Sequence, residues 1–121
     1  GTAVEEGVIV HAPPGTTNRI GTKVTIGHGA ILHGQLIGDK VVIGMGAVLS
    51  VGSEVGEGAI VAEGSIVKAK QIIPAKTVVA GNPARFARNV TAKDEEMWGW
   101  AKQLYINLAK KYLDEPMESV K

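Results

Sequence analysis

The three histidines of the chain, His11, His28 and His33, are the residues best suited to chemistry. A neutral imidazole can act as a general base near neutral pH, and it is also a common metal ligand. Three imidazoles around one ion, with the fourth position open, form the ligand set of a catalytic zinc. Such a zinc lowers the pKa of its bound water from about 15.7 to about 7. Which chemistry is available therefore depends on the elements that position the three rings.

An aliphatic residue recurs at every sixth position through most of the chain. A one-residue slip near Leu36 and a four-residue insertion within residues 12–19 interrupt this period. Short β-branched strands separated by turns at this spacing are typical of a left-handed parallel β-helix, in which three hexads form a triangular coil of about 18 residues. A β-sandwich of buried strands is the alternative. The aliphatic positions are Val4, Val10, Ile20, Ile26, Leu32, Ile37, Ile43, Leu49, Val55, Val61, Val67, Ile73 and Val79.

The hexapeptide period stops after Pro83 and a helical pattern replaces it. Thr91 is a suitable N-cap with acidic residues behind it. We therefore predict an all-β solenoid over residues 1–89 as a single domain with a loop at 12–19, a C-terminal α-helix over 90–114, and a tail over 115–121. The helix should pack along the solenoid through one apolar stripe. Its members are Trp98, Ala101, Tyr105, Leu108 and Tyr112.

Composition excludes several classes of function. The net charge is +1, which gives no electrostatic basis for binding nucleic acid. The chain has no cysteine, so disulfides and thiolate metal sites are excluded. No apolar run reaches the roughly 18 residues of a membrane span, and no signal-peptide pattern opens the sequence. We expect a cytoplasmic protein that does not bind membranes.

The repeat also predicts which corner residues stack on one another. His11 and His33 both follow an inward aliphatic residue, one coil apart, so they should lie about 4.8 Å apart along the axis. His28 belongs to a different corner, roughly 16 Å of strand away, with Glu6 below it and Glu5 beside Glu6. One chain cannot bring all three rings to one ion, whereas a three-fold ring of chains can. The alternative is that the three histidines are ordinary polar turn residues.

Four motifs resemble the γ-class carbonic anhydrase family of hexapeptide-repeat proteins. They are Val-Ile-Val-His11, Ile-Gly-His28-Gly-Ala-Ile-Leu-His33-Gly, Ile43-Gly-Met45-Gly-Ala-Val and Val79-Ala-Gly-Asn-Pro-Ala-Arg85. The resemblance implies a homotrimer that catalyses the reversible hydration of carbon dioxide to bicarbonate. It implies Zn2+, or Fe2+ or Co2+ in its place, held between subunits by His11, His28 and His33. It also implies that Tyr105 of the helix lies near the metal and donates to a bound oxygen.

The sequence departs from that family just before the first histidine. Ala3, Glu5 and Glu6 stand where the family has an Asn-x-Gln-Asp stretch. Glu5 or Glu6 would then orient the nucleophile or accept its proton. The family usually has further coils before this point, so we expect a shortened member or a fragment. Two other functions remain open: a hexapeptide-repeat acyltransferase with an acyl-coenzyme A donor and one histidine as base, and a catalytically silent trimer that keeps the metal.

Overall fold

A computed structural model describes residues 1–33 and 35–101 of the chain. Those residues form short strands followed by a helix, α1, which begins at residue 92 and continues to the last described residue, 101. The strands are β1 (Ala3–Val4), β2 (Ile9–His11), β3 (Arg19–Ile20), β4 (Thr25–Ile26), β5 (Ile31–His33), β6 (Leu36–Ile37), β7 (Val42–Ile43), β8 (Val48–Leu49), β9 (Glu54–Val55), β10 (Ile60–Val61), β11 (Ile66–Val67), β12 (Ile72–Ile73), β13 (Thr77–Ala80) and β14 (Arg85–Asn89).

The strands form the three faces of a prism. Every third strand joins the same sheet, so the orders are β1-β4-β7-β10-β13-β14, β2-β5-β8-β11 and β3-β6-β9-β12. All neighbours are parallel except β13 and β14. Because each strand pairs with the equivalent strand of the next coil, the chain winds as a parallel solenoid. This confirms the left-handed β-helix of hexapeptide repeats.

The core is a single column of aliphatic side chains along the axis of the prism. The inward residues from Ile26 to Val79 are each at most 4% exposed, whereas Ile20 is partly buried. Small residues such as Ala30, Ala47 and Ala59 fill the positions beside the corners and are fully buried. The period of six thus predicts the core correctly from Ile26 to Val79. Val4 and Val10 keep the inward register in the first coil, but they are 56% and 48% exposed.

Two irregularities of the hexapeptide period appear as local changes of coil length. His11 pairs with His33 across the longer first coil, because residues 12–18 form a loop between β2 and β3. The amide of Thr16 donates to the Pro13 carbonyl at 2.9 Å, which closes a tight turn in that loop. Both corrections to the register were predicted from the sequence, and the observed strand pairs follow them.

The last strand was not predicted. β14 runs antiparallel to β13, with Thr77 opposite Asn89 and Ala80 opposite Arg85. Every residue of β14 is exposed. It therefore lacks the alternation of apolar and polar residues by which a half-buried strand is recognised in a sequence.

Helix α1 begins with the cap predicted from the sequence. The Asp94 amide donates to Thr91 Oγ at 3.2 Å, and the Thr91 amide donates to Asp94 Oδ2 at 2.9 Å. Arg88 at the end of β14 pairs with the same carboxylate at 2.6 Å, which ties the helix to the solenoid. Trp98 is half-buried, as its place on the apolar stripe requires. Within the described part of the chain, no helix is long and apolar enough to cross a membrane.

Candidate functional site at the histidine corners

The His11–His33 pair forms one corner of the first two complete coils. Both residues end their strands in matched positions, so the 22-residue offset brings the rings together. The ring centroids are 5.7 Å apart and the rings meet edge to face at 77°. Two imidazoles on one tetrahedral zinc, with Zn–N bonds of about 2.0–2.1 Å, have centroids roughly 5 Å apart. The centroid separation is therefore close to that of two ligands of a single ion.

A buried amide supports the corner next to His33. Gln35 is only 1% exposed, and its Nε2 donates to the carbonyls of Leu49 and Ser50 at 2.9 and 3.1 Å. Its own backbone amide donates to Asn18 Oδ1 at 3.0 Å. Gln35 thus links three successive coils through hydrogen bonds to Asn18, Leu49 and Ser50. Gln35 was not predicted as a supporting residue, although a glutamine within a repeat of aliphatic residues is a recognisable signal.

His28 lies at the neighbouring corner and contacts two carboxylates. Its Nε2 is 2.8 Å from Glu5 Oε2, and its Nδ1 is 3.3 Å from Glu6 Oε2. The side chain of Glu5 is 17% exposed, that of Glu6 is 94% exposed, and that of His28 is 50% exposed. The predicted stacking of these acids against His28 is therefore what the structure shows. The distances themselves could not be read from the repeat.

The turn that carries His28 requires a glycine before it. Gly27 packs against the next coil so closely that a Cβ there would lie 2.7 Å from the Met45 amide nitrogen. The Gly27 amide donates to the Ile43 carbonyl at 2.8 Å, and the Gly46 amide donates to the His28 carbonyl at 2.9 Å. These two bonds fix the backbone on both sides of His28. The ring therefore projects outward from a rigid turn.

His28 and Glu5 form an imidazole–carboxylate pair that leaves one ring nitrogen able to accept a proton or bind a metal. A neutral imidazole carries one proton, and the shorter contact makes Nε2–H the donor to Glu5. Nδ1 is then the nitrogen with a lone pair, and Glu6 can move away from it because that side chain is almost fully exposed. A histidine held in this way can take a proton from a substrate or ligate a metal.

The three histidines do not form a metal site within one chain. Among residues 1–33 and 35–101, no group of three or more histidine, cysteine, aspartate or glutamate side chains is placed to hold an ion. The ligand set predicted from the sequence takes His11 and His33 from one chain and His28 from another, and remains a prediction. Tyr105, the third predicted catalytic residue, lies outside the described residues.

Several bacterial proteins are similar to this chain over most of its length. It is 42% identical to the carnitine operon protein CaiE of Escherichia coli over 98 residues, and these residues make up 81% of the chain. A Bacillus cereus protein with the provisional name acetyltransferase superposes with a TM-score of 0.89 and 32% identity over 92% of the chain. A hexapeptide transferase family protein from Anaplasma phagocytophilum superposes with a TM-score of 0.85 and 31% identity, again over 92% of the chain.

These relatives are longer than this chain. The chain spans about half the length of CaiE and 64% and 65% of the two solved structures. No protein-family model matches it. The relatives support the broad hexapeptide-repeat class and do not specifically show the γ-class carbonic anhydrases. The chain is therefore a hexapeptide-repeat protein of the left-handed β-helix fold, similar to CaiE in sequence and to hexapeptide transferases in structure.

Proposed function

We propose that this chain is the β-helix of an acyltransferase that moves an acyl group from a coenzyme A thioester to a hydroxyl or amine of a small acceptor. The observation that carries the proposal is the 2.8 Å contact between His28 Nε2 and Glu5 Oε2 on an accessible corner. It is supported by the two structural relatives named as an acetyltransferase and a hexapeptide transferase. This proposal takes the acyltransferase alternative of the sequence analysis in preference to carbon dioxide hydration.

The reaction needs a general base that removes a proton from the acceptor and then donates it to the leaving thiolate. His28 Nδ1 takes the proton of the acceptor while the acceptor oxygen or nitrogen attacks the thioester carbonyl carbon. The tetrahedral adduct then collapses, the carbon–sulfur bond breaks, and the thiolate leaves. The imidazolium returns its proton to that sulfur. Glu5 does not react; it accepts a hydrogen bond from Nε2–H, fixes the ring and favours the imidazolium that forms.

A second candidate is the metal-dependent hydration of carbon dioxide, which the His11–His33 geometry favours. The pair has the separation that two ligands of one zinc would have, and a neighbouring chain would supply His28. Zinc, iron or cobalt bound there would supply a water of lowered pKa. Glu5 and Glu6 would orient that water or accept its proton, and the Tyr105 hydroxyl would donate to the bound oxygen. A silent metal-binding trimer would share this ligand set without turnover.

Both candidates require a homotrimer in our proposal. The His28 corner of one chain would face the His11–His33 corner of the next, and closed three-fold symmetry would repeat the contact. His28 would then have an acyl donor or a metal in the groove between two chains. The substrate is a small molecule in either case.

One protein preparation can separate these functions. Metal content is measured by mass spectrometry, thiol release from acetyl-coenzyme A by a chromogenic thiol reagent with a panel of acceptors, and carbon dioxide hydration by stopped flow. Acyl transfer predicts acceptor-dependent thiol release that His28→Asn lowers by about 10²–10⁴-fold, whereas His11→Asn has little effect. Metal-dependent hydration predicts that His11→Asn, His28→Asn and His33→Asn all remove the metal and the rate together. Thiol release that is independent of His28 would contradict the acyltransferase.

A further inference from the structure

Four turns of the solenoid carry a lysine where glycine would be expected. Among the described residues, the non-glycine residues with positive φ are Lys23 at 56°, Lys40 at 60°, Lys70 at 62° and Lys76 at 56°. At the His28 corner the matching turn position is glycine in each coil, as in Gly29 at 71° and Gly46 at 69°. A left-handed backbone disfavours residues with a Cβ. Strain of this kind at repeated positions points to a use for the side chain.

Three of these lysines belong to one corner. The Lys40 amide donates to the Thr22 carbonyl and the Lys76 amide to the Glu57 carbonyl, both at 2.9 Å, so the turns stack in successive coils. We call Lys23, Lys40 and Lys76 the lysine corner. Gly58 occupies the turn between Lys40 and Lys76, and a Cβ there would lie 3.4 Å from Lys76 Cγ. Lys70 lies at a different corner.

A cavity of about 360 Å³ separates the lysine corner from the first turns of α1. The three lysines line the solenoid side, and Trp98 lines the helix side. Its volume is at the small end of the range for ligand sites, about 300–1,000 Å³. The cavity therefore has room for a small metabolite and combines a cationic wall with an aromatic one.

The charges in the cavity favour an anion. Within the described chain, none of the three lysines forms an ion pair. Asp94 also lines the cavity, but its carboxylate is committed to Arg88 and to the Thr91 amide. Glu57 and Glu95 are the other acids of the lining, so three ammonium groups face two carboxylates. The Asp94 amide, at the start of α1, already donates a hydrogen bond to Thr91 Oγ. The lysine ammonium groups, and not this amide, would therefore bind the anion.

We propose that this cavity binds a small molecule with at least two negative charges, carried by phosphate or carboxylate groups. The anionic groups contact the lysine corner, and the rest of the ligand lies towards Trp98. Register places the lysine corner on the edge of the prism that carries no histidine, so this site is separate from the candidate catalytic site. Because the ligand bridges the solenoid and α1, its binding holds the helix against the solenoid.

The test uses the fluorescence of Trp98 in the full chain. Trp100 is 69% exposed, and Trp100→Phe leaves Trp98 as the single reporter. Sodium pyrophosphate and sodium glutarate are titrated in separate arms at fixed ionic strength. Lys40→Gly and Lys76→Gly remove the ammonium groups while the glycine accepts the same φ. Lys70→Gly is the matched control, because it makes the same backbone change away from the cavity.

We expect a saturable fluorescence change that Lys40→Gly and Lys76→Gly weaken by at least five-fold, with Lys70→Gly equal to the parent. Binding of pyrophosphate alone identifies a phosphate ligand, and binding of glutarate alone identifies a dicarboxylate. No saturable change with either probe overturns the proposal. So does an equal loss of affinity in Lys40→Gly and Lys70→Gly, because that would make the response a general charge effect.

Discussion

At the scale of single residues, the two glutamates beside His28 have different surroundings although they are adjacent in sequence. Glu5 is 17% exposed and Glu6 is 94% exposed. A carboxylate that is largely removed from water holds its partner more firmly than one in full solvent. Of the two, Glu5 therefore has the firmer contact with the His28 ring, and Glu6 is a solvated neighbour.

The first prediction compares these two residues. Glu5→Gln keeps the shape of the side chain but weakens its interaction with the imidazolium, so thiol release from acetyl-coenzyme A should fall by about 10–100-fold. Glu6→Gln, the matched control, should change the rate by less than about two-fold because the side chain is solvated. Steady-state kinetics across pH 5–9 provide the measurement. Equal effects of the two substitutions would show that Glu5 does not position His28.

At the scale of elements, the start of α1 depends on one carboxylate. The hydrogen bonds that Asp94 accepts from Arg88 and then from the Thr91 amide hold its pKa far below the usual range. Since the folded-state pKa is lowered, the stabilisation is complete above the unfolded pKa, near 3.9. It is lost progressively as the pH falls from that value towards the much lower folded-state pKa.

The second prediction follows from the lowered pKa of Asp94. Circular dichroism at 222 nm should show α1 intact at pH 4, with loss of helix only at lower pH. Asp94→Asn should lower the helix signal at pH 7, because it removes the ion pair and weakens the cap. Glu96→Gln is the control, since that exposed acid of the same helix has no ion pair among the described residues. A helix signal that Asp94→Asn leaves unchanged at pH 7 would contradict this role.

The third prediction concerns the column of aliphatic side chains. Leu49 is fully buried between coils, so Leu49→Ala should lower the free energy of unfolding by about 2–5 kcal/mol. Val10 occupies the equivalent inward position in the first coil, but its side chain is 48% exposed. Val10→Ala should therefore lower the free energy of unfolding by less than about 1 kcal/mol. Urea denaturation followed by circular dichroism gives both values. Similar losses at the two positions would mean that Val10 is also buried in solution.

The elements also show what the sequence can predict. The period of six identified the solenoid, its core and the pairing of His11 with His33. It could do so because equivalent residues of successive coils pair with each other, so counting residues along the repeat gives the register. It could not predict β14, whose exposed residues carry no periodic signal, nor the distances from His28 to Glu5 and Glu6, which depend on rotamers. The lysine corner escaped notice for another reason: its signal is backbone conformation, and the lysines read as ordinary turn residues.

At the scale of the whole molecule, both proposed functions place the site between chains. A homotrimer would have about three times the chain mass of 12.6 kDa in light scattering. The fourth prediction tests the metal-dependent candidate, in which His11 and His33 of one chain and His28 of the next would hold the ion. His28→Ala chains keep the His11–His33 pair, and His11→Ala chains keep His28. Each variant alone should bind almost no metal, since every interface lacks one ligand.

In the metal-dependent candidate, mixed trimers should recover part of the metal sites. When the two variants are unfolded together in equal amounts and refolded, about one interface in four joins an intact His11–His33 pair to an intact His28. Bound zinc should therefore rise to about one quarter of the parent value. Mixing after each variant has folded separately is the control and should restore less, because the trimers must first exchange chains. If co-refolding restores no zinc although mixed trimers form, the three histidines do not share a site across the interface.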